Sequence, residues 1–339
     1  MASTRNELLT DLLKDVSRSF YLTLRVLPES IRNQIGLAYL LARTTDTIAD
    51  TEIVPLEKRL KLLELLRDRI LGRTSMELDL TELARTQGLP AERVLLTKIE
   101  DSLELLDSCS DKDRALIREV INTITSGQVL DLRRFADASK DNIVALQIDD
   151  ELDDYTYRVA GCVGEFWTKI CLQNQFRGSE FLANQSLSEA EFETLGVRFG
   201  KGLQLVNILR DLPADLRSGR CYLPEERLTA AGLMVTDLRN PANEPRFRPF
   251  YNELLDRAES HLAAGWKYTT VIPRSEIRVR LACAWPILIG LKTIKLLRTH
   301  NVLDPGQRIK ISRTHVRQVL VRSIVQYPFA RWEKLPENV

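Results

Sequence analysis

The chain is poor in the residues that mark most kinds of site. Its 339 residues include three histidines, five cysteines and fifteen glycines. The histidines, His261, His300 and His315, form no Glu-x-x-His pair and no metal-type spacing, which excludes the usual zinc centre and a di-iron helical bundle. The cysteines, at 109, 162, 171, 221 and 283, are odd in number and scattered. They make no disulfide framework and fit a reducing cytoplasm. Neither sign of charge prevails. With 48 Lys and Arg against 47 Asp and Glu, the net charge of +1 gives no field to gather nucleic acid. No run approaches the roughly 18–20 apolar residues that cross a bilayer. The nearest, LACAWPILIGL (281–291), reads as a buried helix. The polar start MASTRNELLTDLLKDV is no secretory signal. Gly-x-Gly-x-x-Gly is missing, so there is no Rossmann unit.

What the sequence does have is helix. Leu, Ala, Glu and Arg dominate, and segments such as 56–71 and 96–109 carry apolar residues at steps of three and four. Breaks are expected near Pro28, Gly88-Leu89-Pro90, Pro213, Pro224, 240–249, Pro273 and Asp304-Pro305-Gly306. The reading is one all-α domain over 1–339, with the motif-bearing core at 17–224 and C-terminal helices at 250–325.

Aspartates four apart are common by chance. Asp11/Asp15, Asp107/Asp111 and Asp149/Asp153 are read as solvated faces. Two other pairs stand in a different setting. Tyr39, Arg43, Asp46 and Asp50 fall on a helical stripe roughly 60° wide, with Ile35, Leu37, Leu40, Leu41 and Ile48 on other faces. Gln204, Asn207, Asp211 and Asp215 form a second stripe among Leu203, Leu205, Val206, Ile208 and Leu209. Carboxylates buried in this way need cations. Oxygen donors without His or Cys suit a hard ion, Mg²⁺ before Ca²⁺, and Mg²⁺ keeps positions open for phosphate. Arg43, Arg210, Arg217 and Arg220 suit the remaining phosphate oxygens. Pro213 is expected to end or kink the helix between Asp211 and Asp215, leaving Asp215 on a loop mouth. Gly219 is expected to let that loop approach a phosphate.

Four blocks in order resemble the squalene/phytoene synthase family, the head-to-head prenyl diphosphate synthases: SRSFYLTLRVLP (17–28), YLLARTTDTIAD (39–50), YTYRVAGCVGE (155–165) and QLVNILRDLPAD (204–215) with GRCYLP (219–224). The resemblance implies an isoprenoid synthase helical bundle around a central apolar cavity. It implies that Asp46, Asp50, Asp211 and Asp215, with Asn207, hold Mg²⁺ bridging the diphosphates. Ser17, Arg18, Ser19, Tyr39, Arg43, Gln204, Arg210, Arg217 and Arg220 would serve the substrate's polar end, and Phe20, Val159 and Val163 its prenyl chains. Tyr155 is the candidate for proton removal and cation steering, with Tyr157 and Arg158 as neighbours that compete for that role. Gly161 and Gly164 are read as close helix–helix contacts.

The C-terminal third, with LACAWPILIGLKTI and RIKISR, is similar to the squalene synthase side of the family, and most like a bacterial member. The implied reaction is Mg²⁺-dependent condensation of two farnesyl diphosphates through presqualene diphosphate, then reduction by NADPH to squalene. The alternatives are presqualene diphosphate, dehydrosqualene or phytoene as product, and a non-catalytic helical assembly factor. From Lys295 to Arg322 seven Lys and Arg face one acid, Asp304. That excess has three readings: an NADPH 2′-phosphate site with Lys310 and Arg313, a face for anionic lipid, or a solvated surface. The chain carries no transmembrane anchor in this reading, which places it in the cytoplasm with peripheral membrane contact for product release.

Overall fold

Serine and proline set where the long helices begin. The structure is a computed structural model that describes residues 7–17, 21–176, 180–307 and 309–338. Pro28 precedes α1 (Glu29–Asp50) and Pro55 precedes α2 (Leu56–Ile70), each with an acidic residue in the first turn to meet the helix dipole. Ser110 accepts the backbone N–H of Asp113 at 3.1 Å and opens α3 (Asp111–Arg134). By their internal packing the residues fall into two units, Met1–Ala136 with Phe166–Ser179, and Asp137–Glu165 with Glu180–Val339.

In the first unit α1, α2 and α3 pack on one another. Leu40, Leu41 and Ile48 of α1, Leu63 and Leu66 of α2, and Ile117 and Ile121 of α3 are fully buried there. Each such aliphatic contributes about 2 kcal/mol relative to exposure.

The second unit begins with the short strand β1 (Val144–Leu146), followed by α4 (Asp149–Thr156) and a π-helical turn at Tyr157–Gly161. The helix α5 (Cys162–Asn174) comes next along the chain. The longest helix of the second unit is α6 (Glu189–Arg217), which starts in a capping box: Ser188 accepts from the Glu191 N–H and Glu191 accepts from the Ser188 N–H. After it come β2 (Arg220–Pro224), α7 (Glu244–Val271), α8 (Ile277–Thr299) and α9 (Arg313–Gln326). Helix α6 packs along α7 and, less extensively, α8.

The fold is all-α, as the sequence indicates, with one small exception. Strands β1 and β2 pair in parallel, Val144 opposite Arg220 and Ala145 opposite Cys221. The turn between α6 and β2 makes this pairing possible. Gly219 has φ +83°, and a Cβ there would lie 2.1 Å from the Ser139 carbonyl oxygen. Gly219 thus makes a close approach to the chain's own Ser139–Asn142 turn.

Pro213 does not end its helix. Helix α6 runs through it to Arg217, so Asp215 lies on the helix and not on a loop mouth. Proline takes away the N–H that would bond the Leu209 carbonyl. The buried Tyr251 hydroxyl of α7 donates to that carbonyl at 3.0 Å instead. Pro249 and Pro286 also lie inside helices, so the break expected at 240–249 shrinks to the short turn Pro241–Asn243. The other expected breaks fall between elements or at their ends. LACAWPILIGL is the buried middle of α8.

Candidate functional site

The first stripe lies on α1 as the spacing requires, in the first unit. Tyr39 donates from its hydroxyl to the Val16 carbonyl at 3.3 Å. Arg43 bridges two carboxylates, Asp46 one turn ahead and Glu92 from another helix. Its Nε is buried with no hydrogen-bond partner among the described residues, a donor that neither carboxylate uses. Burial pushes the Asp46 carboxyl up, against the pull of the Arg43 guanidinium. The Asp46 side chain is nevertheless 44% exposed. The Asp46 carboxylate is thus crowded by protein and still open to solvent. Asp50, the last residue of α1, is exposed.

Of the opening block's Ser-x-Ser-Phe residues only Ser17 is described. It is buried, and its hydroxyl donates to the Leu13 carbonyl of its own helix. Arg18, Ser19 and Phe20 lie outside the described residues.

The second stripe lies on α6, in the second unit. Asn207 is exposed, and Gln204, Asp211 and Asp215 are half-buried. Arg210 grips the adjacent Asp211 with two nitrogens, Nε at 2.9 Å, and this carboxylate raises the guanidinium pKa. Arg217 ends the helix, exposed, and Arg220 opens β2.

Tyr155 lies on α4 and stacks on Tyr222 of β2, ring centres 4.6 Å apart. Two stretches that resemble family motifs thus meet in one aromatic pair. Val159 sits on the π-helical turn, half-buried, and Val163 at the start of α5 is 36% exposed. The Tyr157 hydroxyl donates to Glu165 at 3.0 Å, while Arg158 binds Asp154.

Gly161 and Gly164 make the close contacts expected of them. A Cβ on Gly164 would lie 1.9 Å from the Gly196 carbonyl oxygen, and one on Gly200 2.0 Å from that of Ala160. The backbones of the 157–165 segment and α6 touch here. Gly196 and Gly200 belong to that contact although no motif in the sequence marks them.

Asp149 and Asp153 are not the solvated face that their spacing suggests. Arg227 and Arg257 bind Asp149, and Arg257 and Lys201 bind Asp153, the latter at 2.6 Å. Partial burial pulls the Asp153 carboxyl up, but Lys201 and Arg257 prevail and lower it. The i, i+4 spacing was visible. Its partners, from three distant segments, were not. Asp11, Asp15, Asp107 and Asp111 are exposed as expected.

Lys310 and Arg313 are both exposed, Arg313 in the first turn of α9. Arg298, counted in the basic excess, is held by Asp256 and Glu259. The five cysteines are free thiols, and burial pushes Cys162 and Cys221 up to about 12.

Among the described residues no three His, Cys, Asp or Glu side chains gather to hold a metal. Each stripe offers two carboxylates one turn apart, and α6 adds the Asn207 amide. That donor set fits Mg²⁺, which is commonly held by one or two carboxylates and completed by water and phosphate.

The squalene/phytoene synthase family model matches residues 13–315. The chain belongs to the squalene/phytoene synthase family. It is 30% identical over 307 residues to the presqualene diphosphate synthase of Rhodopseudomonas palustris, covering 90% of this chain and 92% of that one. It is 27% identical over 310 residues to squalene synthase ERG9 of Saccharomyces cerevisiae, covering 90% of this chain and 64% of that one. The chain thus spans under two thirds of that relative's length. A solved structure of TcSQS in complex with the ligand E5700 superposes at a TM-score of 0.75, covering 98% of this chain and 95% of that one, at 18% identity. This last likeness shows the shared fold. Members of the family are prenyltransferases that condense prenyl diphosphates head to head. No helix among the described residues is long and apolar enough to cross a membrane.

Proposed function

We propose that this chain condenses two farnesyl diphosphates head to head in a Mg²⁺-dependent reaction. The observation that carries the reading is the pair of stripes, each setting two aspartates and an arginine on one helix, in a chain of this family. Bound Mg²⁺ supplies Lewis-acid neutralisation of the departing diphosphate. Asp46 and Asp50 in the first unit, and Asn207, Asp211 and Asp215 in the second, are the residues that would each hold Mg²⁺. Arg43 and Arg210 are already placed among these carboxylates, and their spare donor capacity suits phosphate oxygens. Tyr155, packed on Tyr222, presents a π-face that steadies a nearby carbocation and a hydroxyl for the departing proton.

The product is presqualene diphosphate, carried on to squalene where NADPH is bound and used. A second reading stops at presqualene diphosphate. It is favoured by the presqualene diphosphate synthase of Rhodopseudomonas palustris, a relative of matching length. Purified protein with farnesyl diphosphate and Mg²⁺, with and without NADPH, decides. Squalene only with NADPH supports the two-step reaction. A cyclopropyl diphosphate in both supports the single step. No diphosphate release from any prenyl diphosphate overturns both readings.

A further inference from the structure

Lys201 of α6 is a largely buried charge that the proposed reaction does not use. Its side chain is only 13% exposed. Its Nζ donates at 2.6 Å to Asp153, two residues before Tyr155. The same ammonium stands 5.8 Å from the ring centre of Tyr157, two residues after Tyr155. Farther down the stem, Lys201 Cγ lies 3.2 Å from the place a Cβ on Gly161 would take. One side chain thus meets the Tyr155-bearing segment on both sides of Tyr155.

Between these contacts the chain passes from α4 into the π-helical turn Tyr157–Gly161, a rare form that recurs at functional sites. Arg257 of α7 also binds Asp153, at 3.0 Å. The Tyr155 ring is fixed separately, by its stack on Tyr222 of β2. Stability alone gives no reason for a lysine here. An ammonium withdrawn from water is costly even when paired, and an aliphatic residue would pack on Gly161 and Tyr157 without that cost. What the charge adds is register: it selects one placement of Asp153, and hence of α4, against α6.

We propose that Lys201 is a positioning residue for the condensation. By holding Asp153 and Tyr157 it fixes where Tyr155 stands relative to Asn207 and Asp211, six and ten residues further along the same helix. The inference rests on the reading above, in which Tyr155 faces the carbocation. Misplacing a reacting group by about 1 Å can cost about a hundredfold in rate, while groups that grip the diphosphate are left as they were.

The test is steady-state diphosphate release from farnesyl diphosphate with Mg²⁺, beside thermal melting. Lys201→Met keeps the stem over Gly161 and removes the charge. It is expected to lower kcat at least about tenfold, with KM within about twofold and melting close to the parent's. Asp153→Asn cuts the clamp at its other end and should show the same split. Adding Lys201→Met to it should cost little more. Lys201→Arg, which keeps a donor for Asp153, should recover most of kcat. Without substrate, amide hydrogen exchange at 157–161 should quicken in Lys201→Met. The proposal is overturned if Lys201→Met melts lower but keeps its kcat, if the loss lies in KM alone, or if Lys201→Arg is no better than Lys201→Met. A parent that releases no diphosphate overturns the reading of the reaction and this role with it. An active parent matched by Lys201→Met overturns this role alone.

Discussion

The Tyr251 hydroxyl donates to the Leu209 carbonyl, the acceptor that Pro213 leaves without its helical donor. A side chain from α7 thereby stands in for a missing backbone bond of α6, in the turn that carries Asp211 of the second stripe. Tyr251→Phe leaves that buried carbonyl short of a donor, and a loss of about 1–3 kcal/mol in urea unfolding is expected. In a Pro213→Ala background the restored N–H serves Leu209, so the same substitution should matter less. Equal losses in the two backgrounds would show that the hydroxyl does not substitute for the absent N–H.

Gly164 and Gly200 are predicted to be intolerant for a packing reason. Their added Cβ atoms would lie 1.9 Å and 2.0 Å from backbone oxygens, which cannot rotate aside. Gly164→Ala or Gly200→Ala must part the Tyr155-bearing segment from α6. A loss of at least about 1–3 kcal/mol is expected, with diphosphate release falling further than stability alone explains. Thermal unfolding beside a rate assay measures both. Gly88, with open space around it, is the control, and its alanine variant should melt like the parent.

The two polar stripes were legible because helical spacing alone places Tyr39, Arg43, Asp46 and Asp50, or Asn207, Asp211 and Asp215, on one face. The buried flanks Leu40, Leu41 and Ile48 follow from the same periodicity. Pro213 misled because its local preference is real, and the donor that compensates for it comes from Tyr251, on a different helix. Asp153 misled in the opposite sense. An acid at helical spacing looks solvated until Lys201 and Arg257 arrive from other helices. Tyr222 lay inside a recognised block, yet only the β1–β2 pairing helps bring its ring onto Tyr155. Local pattern gives helices and faces. Partners across long sequence separations come from the fold.

The Asp153 ion pairs give a pH signature. Its carboxyl is depressed in the folded protein, so its stabilisation is present above the unfolded pKa and lost as pH falls through the folded value. Asp153→Asn should lower stability by about 1 kcal/mol or less at neutral pH, given the solvent screening of a partly exposed pair. The gap between variant and parent should close below about pH 4. Denaturant melts across that range check it. A gap that persists at the acid end would mean the aspartate acts through shape and not charge.

Asp46 carries the opposite sign, and its variant should separate function from stability. Burial raises its carboxyl in the folded protein, so ionisation there opposes folding, and this penalty is absent below the unfolded pKa and grows as pH rises through the folded one. Asp46→Asn removes it while Glu92 still holds Arg43. The variant is therefore expected to unfold at an equal or higher temperature than the parent at neutral pH, with the difference vanishing in acid. Yet it loses a carboxylate proposed to hold Mg²⁺ against the diphosphate, so release of diphosphate from farnesyl diphosphate should fall by about a hundredfold or more. A carboxylate kept against its own folding preference is what a binding site demands and a structural ion pair does not. If Asp46→Asn melts well below the parent and keeps its rate, Asp46 is a partner for Arg43 and nothing more.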